Sequence, residues 1–325
     1  MLRTQLCDMF DMDHPVMLAG MGGVSYHRVV AAVTEGGGIG TLGAAPMTPD
    51  QMDEEMAEVR KLTDGPFGVD LLTAMPGEMG PLVERVIRGG ARLFVAGLGV
   101  PRDVVELCHD NGVLVANMCG KVRHALASIE AGCDLVIAQG TEAGGHTGLV
   151  ATMPLVPQIV DAVDGRVPVV AAGGIVDGRG HAAALSLGAA GVWIGTRFIA
   201  TPEARTVDGY KEKLLATAED GTVVSRAYSG KPMRVVRSEY VGRYERGEAE
   251  LQPFPDQMLQ SIVDGALHLG GDIATPVDPD LECYPAGQGV GAIDELIGAA
   301  ELVGMIVDEA EAALTSASSF VVTPA

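Results

Sequence analysis

Eight short apolar stretches constrain this chain more than any other feature. Each ends in small or polar residues, and a segment with helical spacing separates each from the next. They are "HPVMLAGMG" (14–22), "IGTLGA" (39–44), "FGVDLL" (67–72), "RLFVAGLG" (92–99), "VLVANMCG" (113–120), "DLVIAQG" (134–140), "VPVVAAGG" (167–174) and "GVWIGTRF" (191–198). Stretches apolar at successive rather than alternate positions are buried on both faces, as in a parallel sheet covered by helices. Eight such units predict an α/β fold, a closed (β/α)8 TIM barrel; strand counting alone leaves an open doubly wound sheet standing as the alternative. The connecting segments carry helix signals. In "TPDQMDEEMAEVRKLTDG" (48–65), Thr48 is a cap, Pro49 lies in the first turn, and charge runs from acidic to basic.

After residue 200 the alternation breaks. "PFPDQMLQSIVDGALHLGG" (253–271) predicts a helix behind a proline-rich entry, and "GVGAIDELIGAAELVGMIVDEAEAAL" (289–314) a final helix or pair. Residues 1–199 and 290–315 are therefore expected to build the barrel. Residues 200–289 are expected to form a substrate-side cap, with the last helix returning to close the barrel and the tail 315–325 frayed.

Composition narrows the partners. The chain has 325 residues and a formal net charge of -21, which argues against nucleic acid and against an anionic membrane surface. No apolar run approaches the ~20 residues of a membrane span, and the first ten residues are too polar for a secretory signal. Cys7, Cys108, Cys119, Cys133 and Cys283 show neither CxxC pairing nor His/Cys metal spacing, so reduced thiols, no metal and a cytoplasmic protein are expected.

Chemistry in a (β/α)8 barrel sits at the C-terminal strand ends. "AQGTEAGGHTG" (138–148), after the sixth strand, packs four glycines around Glu142 and His146 there. Gly173 and Gly174 end the seventh strand, and Gly195 and Thr196 the eighth; bare backbone N–H groups at these two ends form the usual phosphate site of the fold. Glu142 is expected to support its loop. Arg179 and Arg197 flank the phosphate loops but equally suit surface ion pairs. His181 is expected to face solvent.

These stretches together resemble the nitronate monooxygenase family, once called 2-nitropropane dioxygenases. "GGVSYHRVVAAVTEGGGIGTLGA" (22–44) is similar to its N-terminal signature, "PFGVDLL" (66–72) to its third-strand motif and "FVAG" (94–97) to a short Phe-x-x-Gly element. "AQGTEAGGHTG" is similar to its flavin-and-histidine motif, residues 168–198 to its phosphate segment and "AGQGVGAI" (286–293) to its late flavin-side loop. The resemblance implies FMN, with Gly20, Met21 and Gly22 along the ring. It places Asp70, Gln139 and Gly144 at the polar edge or ribityl chain. Gly173, Gly174, Trp193, Ile194, Gly195 and Thr196 would hold the phosphate. It implies that His146 takes a proton from the carbon beside a nitro group, with O2 reoxidising the flavin. The same motifs occur in FMN reductases that use NAD(P)H on an enone, an enoyl thioester or a quinone, and the residues taken without the resemblance also suit a phosphate-binding isomerase or lyase. A small-molecule substrate is expected throughout, and a homodimer stays open. Two positions depart from the family pattern. Leu18-Ala19-Gly20-Met21 replaces Gln-x-Pro-Met, and Asp70-Leu71 replaces Asn-Leu, exchanging an amide donor for a group that only accepts when ionised.

Overall fold

The computed structural model describes residues 2–72, 79–97 and 99–321. Leu98 of the fourth apolar stretch and the last four residues of the tail lie outside them. Eight parallel strands form one sheet: β1 (Val16–Leu18), β2 (Gly40–Gly43), β3 (Phe67–Leu71), β4 (Leu93–Ala96), β5 (Leu114–Cys119), β6 (Leu135–Gln139), β8 (Val169–Ala172) and β9 (Gly191–Ile194). A two-residue strand, β7 (Gly145–His146), falls between β6 and β8 and belongs to a different sheet. The barrel order runs β1-β9-β8-β6-β5-β4-β3-β2, and a parallel bridge between Met17 and Ile39 joins its two ends. The Leu18 N–H donates to the Ile39 carbonyl at 2.9 Å and the Ile39 N–H to the Val16 carbonyl at 3.0 Å. The sheet is therefore a barrel, and the open alternative is excluded.

Alternate residues of each strand divide between two cores. Met17, Leu93, Val95, Leu135, Ile137, Val170 and Trp193 fill the barrel interior. Helix α1 (Gln5–Phe10) adds Leu6, Cys7 and Phe10 to that cluster. Val16, Leu18, Val69, Phe94, Val136, Val192 and Ile194 face the helical layer instead. That layer comprises α2 (His27–Glu35), α3 (Pro49–Leu62), α4 (Met79–Arg88), α5 (Arg102–Asp110), α6 (Val122–Ala131), α7 (Thr152–Val163) and α8 (Gly178–Ser186). In α3 the expected cap is a capping box: Thr48 Oγ1 accepts from the Gln51 N–H, and the Gln51 side chain accepts from the Thr48 N–H.

Beyond β9 come the four-residue α9 (Thr196–Ile199), α10 (Tyr210–Leu215), β10 (Thr222–Ser225), β11 (Met233–Val236), α11 (Glu239–Glu245) and α12 (Asp256–Val263). Strands β10 and β11 are antiparallel, and β11 pairs in turn with β7, Met233 opposite His146. A separate cluster of Ala227, Tyr228, Met233, Val235, Tyr240, Val241, Ala266 and Cys283 packs beneath. Helix α12 is shorter than expected from 253–271, because the chain reverses at Gly265 with φ +67°. The final segment divides into a 3-10 turn (Gln288–Ala292) and α13 (Ala299–Ser318), which runs past the expected end at 314 into the tail expected to fray. Helix α13 packs on α8 and α2 through Leu302, Val303, Ile306, Val307 and Ala310, the place of an eighth barrel helix. No helix among the described residues is long and apolar enough to cross a membrane.

Candidate active site

Apart from the buried Thr41 hydroxyl, the barrel interior is apolar until its C-terminal end, where the same inward register that places Ile137 presents Gln139, and β3 presents Asp70. Gly20 is required opposite Asp70: a Cβ there would lie 2.3 Å from the Asp70 Cβ. Met21 lies across the neighbouring strand end, its Sδ 3.2 Å from where a Gly195 Cβ would be. The loop is tied down by Ser25, whose Oγ accepts from the Met21 N–H at 3.1 Å and donates to the Ala19 carbonyl at 2.8 Å. The Asp70 carbonyl accepts from the Ala44 N–H, while the Asp70 carboxyl has no hydrogen-bond or ion-pair partner among the described residues. It sits deep in the protein mass while part of its surface stays open to the mouth, and burial raises its pKa to about 8. Asp70 therefore carries its proton at neutral pH and can donate, as the family's amide does.

His146 stands beside Gln139. Gln139 Nε2 donates to the His146 carbonyl at 2.9 Å, and the His146 Nε2 lies 2.8 Å from Ser229 Oγ. Ser229 Oγ also lies 3.3 Å from the Lys231 carbonyl. If Ser229 spends its one proton on that carbonyl, it accepts from Nε2–H and the imidazole lone pair is left on Nδ1. One edge of the ring is exposed, yet the surrounding protein mass, and then the nearby charge of Lys231, lower its pKa. The ring is thus a free base at neutral pH.

Glycines bind the phosphate-side loops together. Gly173 (φ +104°) and Gly174 (φ +77°) follow β8, and a Gly174 Cβ would lie 3.0 Å from Glu142 Oε2. A Cβ on Gly144 would lie 2.8 Å from the Ala286 carbonyl carbon. Residues 286–289 lock into this corner: the Gly287 N–H donates to Thr196 Oγ1 at 2.8 Å and the Gln288 N–H to the Glu142 carbonyl at 2.8 Å. The Gly174 and Thr196 N–H groups have no acceptor among the described residues. Two bare donors beside left-handed glycines fit a phosphoryl group.

The structure thus brings together Gly20, Met21, Asp70, Gln139, Gly144, His146, Gly173, Gly174, Gly195 and Thr196. Gly22 lies against Pro46 at the edge. The Trp193 side chain points into the barrel at the ladder position beside Ala172 and Gln139, whereas that of Ile194 packs in the helical layer and could meet a ligand only through its backbone. His181 does not face solvent: it is fully buried on α8, neither ring nitrogen has a partner among the described residues, and burial lowers its pKa to about 4. Arg197 is buried too, its Nη1 donating to the Ala200 and Glu295 carbonyls, while Arg179 pairs with Asp177 at the surface. The sequence reading missed Ser229 and Lys231. Their signal was the "SGKP" turn (229–232) between two apolar runs, but nothing local joins it to residue 146.

A (β/α)8 barrel with an imidazole and bare backbone N–H groups at its C-terminal mouth has the architecture of a barrel enzyme. The sequence profile of the nitronate monooxygenase family matches residues 3–309, and the chain belongs to that family. It is an oxidoreductase. A (3aS,4S,5R,7aS)-5-hydroxy-7a-methyl-1-oxo-octahydro-1H-indene-4-carboxyl-CoA dehydrogenase of Mycobacterium tuberculosis is 36% identical, over 98% of this chain and 99% of its own. A probable nitronate monooxygenase of Staphylococcus saprophyticus is 32% identical over 82% of this chain and 86% of its own. The structure of FabK from Thermotoga maritima superposes with a TM-score of 0.88 at 32% identity, covering 99% of this chain and all of that one.

Proposed function

We propose that this protein is an FMN-dependent oxidoreductase acting on a carbon acid, with a CoA thioester as its substrate. The observation that carries the reading is His146, a neutral imidazole fixed by Ser229 beside the inward-facing Gln139. The residues at the mouth fit FMN. Gly173, Gly174, Gly195 and Thr196, with the backbone of Trp193 and Ile194, would hold its phosphate. Gly20, Met21 and Gly22 would run along the ring, with Asp70, Gln139 and Gly144 at its polar edge. When bound, FMN supplies the two-electron acceptor that no side chain provides.

His146 takes the proton from the carbon next to the activating carbonyl, a task suited to an imidazole that burial keeps unprotonated. Protonated Asp70 adds no negative charge where negative charge develops, and offers a hydrogen bond instead. The relative matching nearly the full length of both chains is named as a carboxyl-CoA dehydrogenase, which supports the thioester. The family itself supports a second reading, oxidation of an alkyl nitronate with O2. The electrons of the oxidised substrate pass finally to O2 or NAD(P)+; NAD(P)H is the donor only in the reductase direction.

The test is a stopped-flow comparison of wild type and His146→Ala, mixed without oxygen with an alicyclic acyl-CoA thioester, propane-2-nitronate, NADH or NADPH. The variant should keep its flavin and react about 10²–10⁴-fold more slowly with the thioester. The preformed nitronate, which needs no deprotonation, should react at nearly the wild-type rate. A colourless wild-type protein, or a thioester reaction unaffected by the substitution, overturns the reading.

A further inference from the structure

The turn Ser229–Lys231 does more than orient the imidazole. Three contacts fix it against the His146 loop: His146 Nε2 to Ser229 Oγ at 2.8 Å, the Thr147 N–H to the Pro232 carbonyl at 3.2 Å, and the ladder position of Met233 opposite His146. Gly230 (φ +78°) makes the turn possible, since a Cβ there would lie 2.6 Å from the Phe254 nitrogen. The Lys231 ammonium is consequently held 3.9 Å over the centre of the Phe254 ring. It has no carboxylate partner among the described residues and is near enough to His146 for its charge to act on the ring. The other cation of this corner, Arg234, is already engaged with the Thr141 carbonyl and Thr222 Oγ1.

We propose that Lys231 is a specificity-determining residue that binds an oxyanion of the substrate. The reason lies in the charge of the whole chain. A protein of net charge -21 repels anionic ligands. A conjugate base formed at His146 needs a fixed positive charge within a few ångströms, in a mouth partly screened from water. A lysine stacked on an aromatic face and left without a counter-ion supplies one, and the ring limits the rotamers it would lose on binding. Two sources share this chemistry: the oxyanion formed at the reacting carbon (a nitronate or thioester enolate) and a phosphate of the CoA moiety. The inference rests on the function proposed above.

The test is calorimetric binding to the flavin-loaded protein without oxygen, for wild type, Lys231→Met and Lys231→Arg. The probes are propane-2-nitronate, neutral 2-nitropropane, an alicyclic acyl-CoA thioester and the corresponding uncharged pantetheine thioester. Lys231→Met should weaken an anionic probe about tenfold while leaving its neutral counterpart within about twofold, and Lys231→Arg should restore most of the loss. Loss confined to the nitronate assigns Lys231 to the reacting oxyanion; loss confined to the CoA thioester assigns it to phosphate. Equal losses for charged and neutral probes, no loss for any, no rescue by arginine, or no binding of either anion to wild type would each overturn the proposal. Failure of the proposed reaction is read separately, from flavin content and flavin reduction by the thioester.

Discussion

Asp70 illustrates how one side chain depends on where the barrel places it. On sequence it is an acid where the family has an amide. Burial raises its pKa from 3.8 to about 8, which brings back the donor. The folded state then keeps a proton that the unfolded chain gives up between about pH 4 and pH 8. The unfolded state binds fewer protons through that window, so stability is highest below it and falls as pH rises toward 8. Asp70→Asn removes this dependence. Its melting temperature should exceed that of wild type by a margin that is small near pH 5 and widens at about pH 8.5. Thermal melts of the flavin-free proteins at the two pH values check this, and an unchanged margin would mean that Asp70 ionises normally.

At the scale of elements, the strand ends and the loops above them are a set of close approaches. Gly174 follows β8 in the left-handed region, against Glu142. A leucine there meets both backbone strain and the Glu142 carboxylate, and it covers the bare N–H groups nearby. Gly174→Leu should therefore lose most of its flavin while its far-ultraviolet circular dichroism stays that of the wild type, because the strain is local to one loop. Full flavin content in this variant would remove the phosphate from this corner. That these glycines mark strand ends was legible from spacing alone. The contact of Gly144 and Gly174 with residues 286–289, more than a hundred residues later, was not, since no local pattern encodes a meeting between distant loops.

For the whole molecule, the helical layer is completed by α13, which returns after residues 200–289 to pack against α8 and α2. Leu302, 3% exposed, belongs to the main core, whereas Phe320, 81% exposed, follows the helix end. Leu302→Ala should cost about 2–5 kcal/mol in denaturant unfolding. Phe320→Ala should stay within about 0.5 kcal/mol of wild type. Similar costs for the two would mean that α13 is not part of the barrel wall.

The eight apolar stretches by themselves determined a parallel α/β sheet covered by helices, whereas its closure into a barrel was decided by the Met17–Ile39 bridge. Burial on both faces is a property of each strand's own composition, and eight such strands with helices between them have few other ways to hide. Glycine placement at strand ends marked the functional face, and His146 stood out as a titratable group on a glycine loop. What the tertiary structure alone decided concerns groups distant in sequence or dependent on burial. Ser229 and Lys231 reach His146 only because β11 pairs with β7. His181, expected at the surface, is buried by α8's packing against α13. The protonation of Asp70 and of His146 follows from how much water each loses on folding, a quantity that exists only once the chain is packed.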